Sequence, residues 1–517
     1  MDVHKIFSDY FIGSEALGYA LSCKLSDGHI SVDIEDYKKE LSSIENLESP
    51  YQVSPDVFTV QCKESKYVTM NTEVLKPFVI HRGKAYLQRY FLYETQIIRN
   101  LNRLQNTFRI ITGGPGTGKT YSVSTELIKL FDENPELKVA LAAPTGKAAV
   151  RLNESIKNFA EDPKNKIDPR IIEILAGLKA KTIHRLLGYQ RDSVFFKYDE
   201  KNRLPYDAVI VDECSMIDGA LMAKLLNAIP DTARLFLLGD KDQLASVEAG
   251  SVFGDICRAK EARLLKDNIE FKNHSYRFDS EKGIGKFSKE VIQGTFSNIE
   301  NYRDDEQLTI DIHYDNGQFK KYALGYMEYI LESDIETALQ KMNKVRFLCV
   351  TRENVHSVAE TNKRIESILK SSINNSDIFN PKEGFYHNQP IIITQNNYDL
   401  GLFNGDVGLV RKVGETLFAH FVSADGEIKK IQAGYLNNFE TVFAMTIHKS
   451  QGSEFEHVVV ILPEKPAGKL LTRELLYTGV TRAKTNVLLQ ASEETLKGTI
   501  KNEVLRSSGL EQRLLNN

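Results

Sequence analysis

A chain of 517 residues with 42% hydrophobic content is large enough for roughly three or four domains, each burying its own core. A net charge of −4 excludes a protein that coats nucleic acid by bulk attraction, so any strand-binding surface has to be a local groove. No apolar run approaches the ~18 residues needed to cross a bilayer, and Met1-Asp-Val-His-Lys has no signal-peptide character, so no membrane partner and a cytoplasmic location are expected.

Residues 1–93 carry no chemical motif, and residues 1–95 hold an acidic excess equal to that of the whole chain, which predicts a docking module over 1–93. From 94 to 300 short apolar strands alternate with helical segments. The runs Phe108 to Thr112, Val139 to Ala143, Ala208 to Val211 and Leu235 to Leu238 each end in polar residues. That alternation predicts an α/β unit with a parallel sheet and function at the carboxyl ends of its strands. A hairpin insertion is expected at about 189–205. A second α/β series begins at Val345 to Val350 and resumes at Val458 to Leu462 and Val487 to Leu489, giving a second unit over 301–517. Between its strands, residues 381–440 contain Gly405-Asp406 and Asp425-Gly426 turns between β-rich runs, which predicts a small antiparallel barrel insertion. Five dispersed cysteines (Cys23, Cys62, Cys214, Cys257, Cys349) with no C-x-x-C pair predict reduced thiols and no zinc or iron–sulfur site.

The first unit carries the strongest chemical signal. Gly113, Gly114, Pro115, Gly116, Thr117, Gly118, Lys119 and Thr120 match G-x-x-x-x-G-K-[ST] between a strand and a helical stretch, Tyr121 to Phe131. Backbone N–H groups of such a loop cradle a polyphosphate, the lysine reaches the terminal phosphates and the threonine hydroxyl serves Mg²⁺. Ala208 to Val211 leads into Asp212 and Glu213, one carboxylate to hold the metal and one to align a water. Leu238-Gly-Asp240-Lys-Asp-Gln243 ends the next strand, where the Gln243 amide is placed to sense a γ-phosphate. Arg277 and Arg482 are the candidate cations for charge developing on the transferred phosphoryl group.

The ordered set of segments resembles the superfamily 1 helicases, and within them the 5′-to-3′ branch that contains RecD. The resemblance runs through Gly113 to Thr120, Ala143 to Ala149, Lys181 to Gly188, Asp212 to Met216, Gly239 to Gln243, Ser275 to Phe278, Thr446 to Phe455 and Tyr477 to Lys484. It implies two RecA-like motor domains, an SH3-like insertion in the second, ATP with Mg²⁺, and arginine-finger roles for Arg277 and Arg482. It also implies nucleotide contacts from Gln96 and Glu454, and places Thr145, Lys147, Thr182, His184, Thr446, His448 and Lys449 on single-stranded DNA. Read alone, a threonine at a strand end serves equally as a helix cap, and a histidine as a packing residue.

Gln243 is followed by Leu-Ala-Ser rather than base-stacking aromatics, and the chain has no Trp, which fits 5′-to-3′ polarity. Pro77 to Tyr90 resembles the segment joining the amino-terminal module of RecD to its motor. The short stretch before the motor favours the subunit type that works on DNA ends beside RecB- and RecC-like partners over a stand-alone repair helicase. Cys214 stands where the family commonly has a small residue, and no nuclease carboxylate cluster is evident. A nucleotide-gated assembly protein and an RNA helicase would share the same ATP-site residues.

Overall fold

The computed structural model describes all residues except 1, 42–48, 191–192, 194, 247, 297, 303–304, 374–383, 398, 424–425, 465–467, 505 and 517. Both expected sheets form, because aliphatic runs buried on two faces pair in parallel once helices cover them. The first has six parallel strands in spatial order Ile269–Lys272, Phe108–Gly113, Arg234–Gly239, Ala208–Val211, Val139–Ala143 and Lys181–Thr182. The second orders Leu308–Asp311, Ala483–Gln490, Phe455–Ile461, Val345–Cys349 and Ala444–Thr446, again all parallel. These are the two RecA-like lobes. Each sheet is sandwiched between two apolar layers, with Ile110, Val209 and Leu237 facing one side of the first and Ile111, Ile210 and Leu238 the other.

The insertion is a five-stranded antiparallel sheet in the order Ile428–Gln432, Thr416–Val422, Val407–Val413, Pro390–Ile393 and Phe439–Thr441. Its edge strands are not paired with each other among the described residues, and residues 381–383, 398 and 424–425 of the expected insertion lie outside them. Where the hairpin at 189–205 was expected, the described residues show a single bridge between Tyr189 and Phe196, and 191, 192 and 194 are not described. The amino-terminal module has a sheet of its own, ordered Ser31–Asp33, Lys84–Leu87, Phe78–His81 and Val68–Thr69. No helix among the described residues is long and apolar enough to cross a membrane.

Two domain limits differ from expectation. Phe278, Ile284, Phe287 and Val291 pack into the second core, so the second lobe begins shortly after Lys272 rather than at 301. Its last residues return to the first lobe: Leu510 and Leu514 are fully buried in the first core. Between them, Arg506 donates to the carbonyls of Ser246, Glu248 and Gly250, the Ser507 carbonyl accepts from Ile30 and Ser31, and Gly509 N–H donates to Glu94 Oε1 at 2.9 Å. The apolar periodicity of a six-residue helix, Leu510–Leu515, is too short to reveal which lobe it serves.

Candidate active site

The phosphate loop bends as its glycines require. Gly116 and Gly118 sit at φ +74° and +78°, a region that side chains with a Cβ rarely adopt. Lys119 opens the helix Lys119–Glu133, and its Nζ donates to the Gly113 and Gly114 carbonyls at 2.6 and 3.1 Å. A cavity of about 1440 Å³ lies over this loop. The first lobe contributes Lys119, Thr120, Asp212, Glu213 and Gln243 to its wall, and Glu454 and Arg482 come from the second.

Asp212 and Glu213 leave the Ala208–Val211 strand at the cavity floor. Burial and the Glu213 charge raise the Asp212 carboxyl to about 6, against the opposing pull of Lys119. Glu213 adopts φ +54°, and its N–H donates to Asp212 Oδ1 at 2.8 Å. That kink turns two successive carboxylates into one cavity. Thr120 and Asp212 offer a hydroxyl and a carboxylate, an oxygen set that suits Mg²⁺ with phosphate and water oxygens completing its shell.

The lobes are joined beside these carboxylates by a buried polar chain. Asp240 Oδ2 accepts from Gln243 Nε2 at 3.2 Å and from the Tyr477 hydroxyl of the second lobe at 2.8 Å. Burial raises Asp240 to about 6 despite Lys119. Gln243 Oε1 in turn accepts from Arg482 Nη2 at 2.7 Å, while the Thr478 and Ser453 carbonyls take the other two Arg482 nitrogens at 3.1 and 3.3 Å. The candidate sensor therefore holds the candidate finger.

Arg277 follows the first lobe's edge strand and hugs the phosphate loop: Ser275 Oγ donates to the Pro115 carbonyl at 3.0 Å and Tyr276 N–H to that of Gly116 at 2.8 Å. Its guanidinium grips both oxygens of Glu454, at 2.7 and 3.0 Å. The same carboxylate takes Arg151 Nη2 at 2.6 Å. Burial alone would raise Glu454, but Arg151, Arg277 and Arg482 outweigh it and hold its pKa at about 2. The carboxylate is thus charged at neutral pH.

The seven expected strand contacts fall into two groups, with His448 lying between Thr446 and Lys449 in the first. Thr145 caps the helix Gly146–Glu161 by accepting from Ala148 N–H at 3.2 Å, and Lys147 lies in its first turn. Facing it, Thr446 Oγ1 accepts from Lys449 N–H at 3.2 Å, and Lys449 Nζ pairs with Glu440 at 2.6 Å. Burial lowers the Lys147 ammonium to about 7, and the fields of Arg346 and Lys449 add to this against that of Asp406. An ammonium short of anions beside another lysine is arranged to receive a phosphate. Thr182 and His184 lie apart: Thr182 ends the strand Lys181–Thr182 and caps the helix Ile183–Leu186 by accepting from Arg185 N–H, and the ring of His184, on that helix, meets Phe196 edge-on. Here the insertion leans on the first lobe, with Phe403 4.2 Å beneath the Arg185 guanidinium.

Comparison with known proteins fits this architecture. The AAA domain family matches residues 96–249, and the UvrD-like helicase C-terminal domain family matches 441–490. The RecBCD enzyme subunit RecD of Mycobacterium tuberculosis (strain ATCC 25618 / H37Rv) is 37% identical over 418 residues, which covers 78% of this chain and 70% of its own. The chain belongs to the RecD family. A second RecD, from Haemophilus influenzae, is 35% identical over 471 residues, covering 79% of this chain and 70% of its own. The ATP-dependent RecD2 DNA helicase of Deinococcus radiodurans is 31% identical over 384 residues, 72% of this chain and 46% of that protein.

Three features of this RecD-family site were not anticipated from sequence. Gln96 does not line the cavity; it lies on the helix Gln88–Arg103, where its Oε1 accepts from Asn227 Nδ2 at 3.4 Å. Tyr276 instead presents a ring, 82% exposed, to the cavity beside Gly118. Arg151 enters the site from the helix Gly146–Glu161, and its 2.6 Å contact with Glu454 is what singles it out. The Tyr-Arg step in Ser275-Tyr-Arg-Phe was the one available signal for Tyr276.

Proposed function

We propose that this ATP-dependent DNA helicase of the RecD family moves 5′ to 3′ along single-stranded DNA, as a motor subunit of a helicase-nuclease complex acting at broken DNA ends. One observation carries the mechanism: a single cavity takes its phosphate loop and carboxylates from one lobe and Glu454 and Arg482 from the other. A ligand in that cavity changes how the lobes sit. The RecD and RecD2 relatives support the helicase and subunit readings.

On ATP binding, Lys119 exchanges two backbone carbonyls for β- and γ-phosphate oxygens. The Tyr276 ring offers a face for the base to stack on. Mg²⁺, held by Thr120 and Asp212, would neutralise phosphate charge. Glu213 orients the attacking water and accepts its proton. Arg482 leaves Gln243, and Arg277 leaves Glu454, for the phosphoryl group, which draws the second lobe inward. Release of phosphate returns each guanidinium to its carboxylate or amide partner. Alternate gripping of the strand by Thr145 and Lys147, then Thr446, His448 and Lys449, converts this cycle into movement, while Thr182 and His184 guide the strand near the insertion.

The test compares wild type with Lys119→Gln. DNA-stimulated hydrolysis and displacement of a protein block from a 5′-tailed oligonucleotide should both vanish in the variant. Displacement from the 3′-tailed substrate alone would reverse the polarity, and stronger stimulation by RNA would reassign the substrate. Affinity purification from the native cell should recover RecB- and RecC-like subunits, and recovery of the protein alone would favour an independent repair motor.

A further inference from the structure

The helix Gly146–Glu161 and the loop from Thr446 to Phe455 run side by side across the lobe interface. Each has one end at the strand groove and the other at the nucleotide cavity. On the helix, Lys147 and Arg151 are four residues apart and so share a face. On the loop, Lys449 precedes Glu454 by five residues. The two elements touch along the way. Gly452, at φ +71°, passes so close to the helix start that a Cβ built there would lie 3.2 Å from Ala148 Cβ and 3.4 Å from Thr145 Oγ1. Further along, Glu454 Oε1 meets Arg151 Nη2 at 2.6 Å.

We propose that Arg151 is the positioning residue through which strand occupancy reaches the nucleotide cavity. The proposal rests on the strand-driven motor described above. Glu454 has one carboxylate for two guanidiniums, Arg151 from the first lobe and Arg277 from the crossover. A triphosphate that takes Arg277 leaves Glu454 to Arg151 alone, and the shared clasp becomes a single link between helix and loop. A strand phosphate held between Lys147 and Lys449 pulls the same two elements together at their other end. Each ligand thereby favours the helix-to-loop arrangement that the other needs, and the coupling is reciprocal. Arg151 also faces Asp212 and Glu213 electrostatically, so its placement bears on the water-activating carboxylate.

The experiment measures ATP hydrolysis with and without saturating single-stranded DNA, and oligonucleotide affinity with and without a non-hydrolysable ATP analogue. It uses wild type, Arg151→Ala, Arg151→Lys and, as comparator, Arg482→Ala. Arg482→Ala should depress both rates together. Arg151→Ala should lower the ratio of stimulated to unstimulated rate by about tenfold or more, the scale of ordinary allosteric coupling. The analogue-induced change in DNA affinity should shrink in parallel. Arg151→Lys, which keeps the charge but lacks the reach, should fall between. A wild-type ratio in both Arg151 variants overturns the proposal, and if the alanine variant does not fold, the lysine variant decides alone. Wild type without any stimulation by DNA would overturn the strand-driven motor and this coupling together.

Discussion

Replacing Arg482 by alanine separates catalysis from architecture, because the guanidinium has a task in each. It is 2% exposed and supplies hydrogen bonds to Gln243 Oε1 and to the Thr478 and Ser453 carbonyls. Truncation strands three buried acceptors, at about 1 kcal/mol each, so a loss of ~3 kcal/mol in stability is expected. The catalytic loss is larger. An arginine finger contributes ~10³ or more in turnover, equivalent to about 4 kcal/mol. Nucleotide affinity rests mainly on the phosphate loop and should change far less. Single-turnover hydrolysis gives the rate, equilibrium binding of a fluorescent ATP analogue the affinity, and circular dichroism the unfolding midpoint, since the chain has no Trp to report on folding. Arg482→Lys should recover much of the stability and little of the rate, because an ammonium lacks the planar fork. Turnover within threefold of wild type in a folded Arg482→Ala protein would refute the assignment of Arg482 to the transition state.

Glu94 predicts a pH dependence. Burial lifts its carboxyl from 4.5 to about 7, against Arg513 and the Gly509 N–H. The folded state therefore holds the proton more tightly than the unfolded chain. Its contribution is fully present below 4.5 and is lost as pH rises toward 7, by about 3 kcal/mol across the window. Glu94→Gln should flatten the fall in the urea midpoint between those limits, and an unchanged profile would contradict the buried environment. Gly116→Ala tests the phosphate loop: at φ +74° a Cβ would overlap Arg277 Cβ and lie 3.1 Å from Ser275 Oγ. Its affinity for ATP should drop about tenfold or more, equivalent to 1.4 kcal/mol, measured by analogue titration, and normal affinity would mean that the Ser275–Arg277 segment does not pack on the loop in solution.

How much of this was legible in the sequence depended on whether a signal was local. Gly113 to Thr120, Asp212 and Glu213 lie at strand ends fixed by a few flanking residues, and the structure gathers them into one cavity. Arg277 and Arg482 were identifiable as residues but not in their resting contacts, because Glu454 and Gln243 lie 177 and 239 positions away in sequence. The resting partner of Gln96 was hidden for a related reason: the packing of Gln88–Arg103 against Gly219–Ala228 brings Asn227 to it from 131 positions away. The boundary near 300 was read from the restart of strand alternation. The apolar face of Gly283–Gln293 gives no hint of which sheet it will cover, and it covers the second.

The return of residues 506–516 to the first lobe bears on how such a motor can move. The backbone passes between lobes near His274 to Phe278, beneath the phosphate loop, and passes back where Arg506 and Ser507 are tethered. A body hung on two pins can pivot about the line between them but cannot slide away. In the proposed mechanism each cycle is then a hinge stroke of fixed axis, and the distance advanced per ATP would be set by the swing angle and by how far the strand-gripping residues lie from that axis.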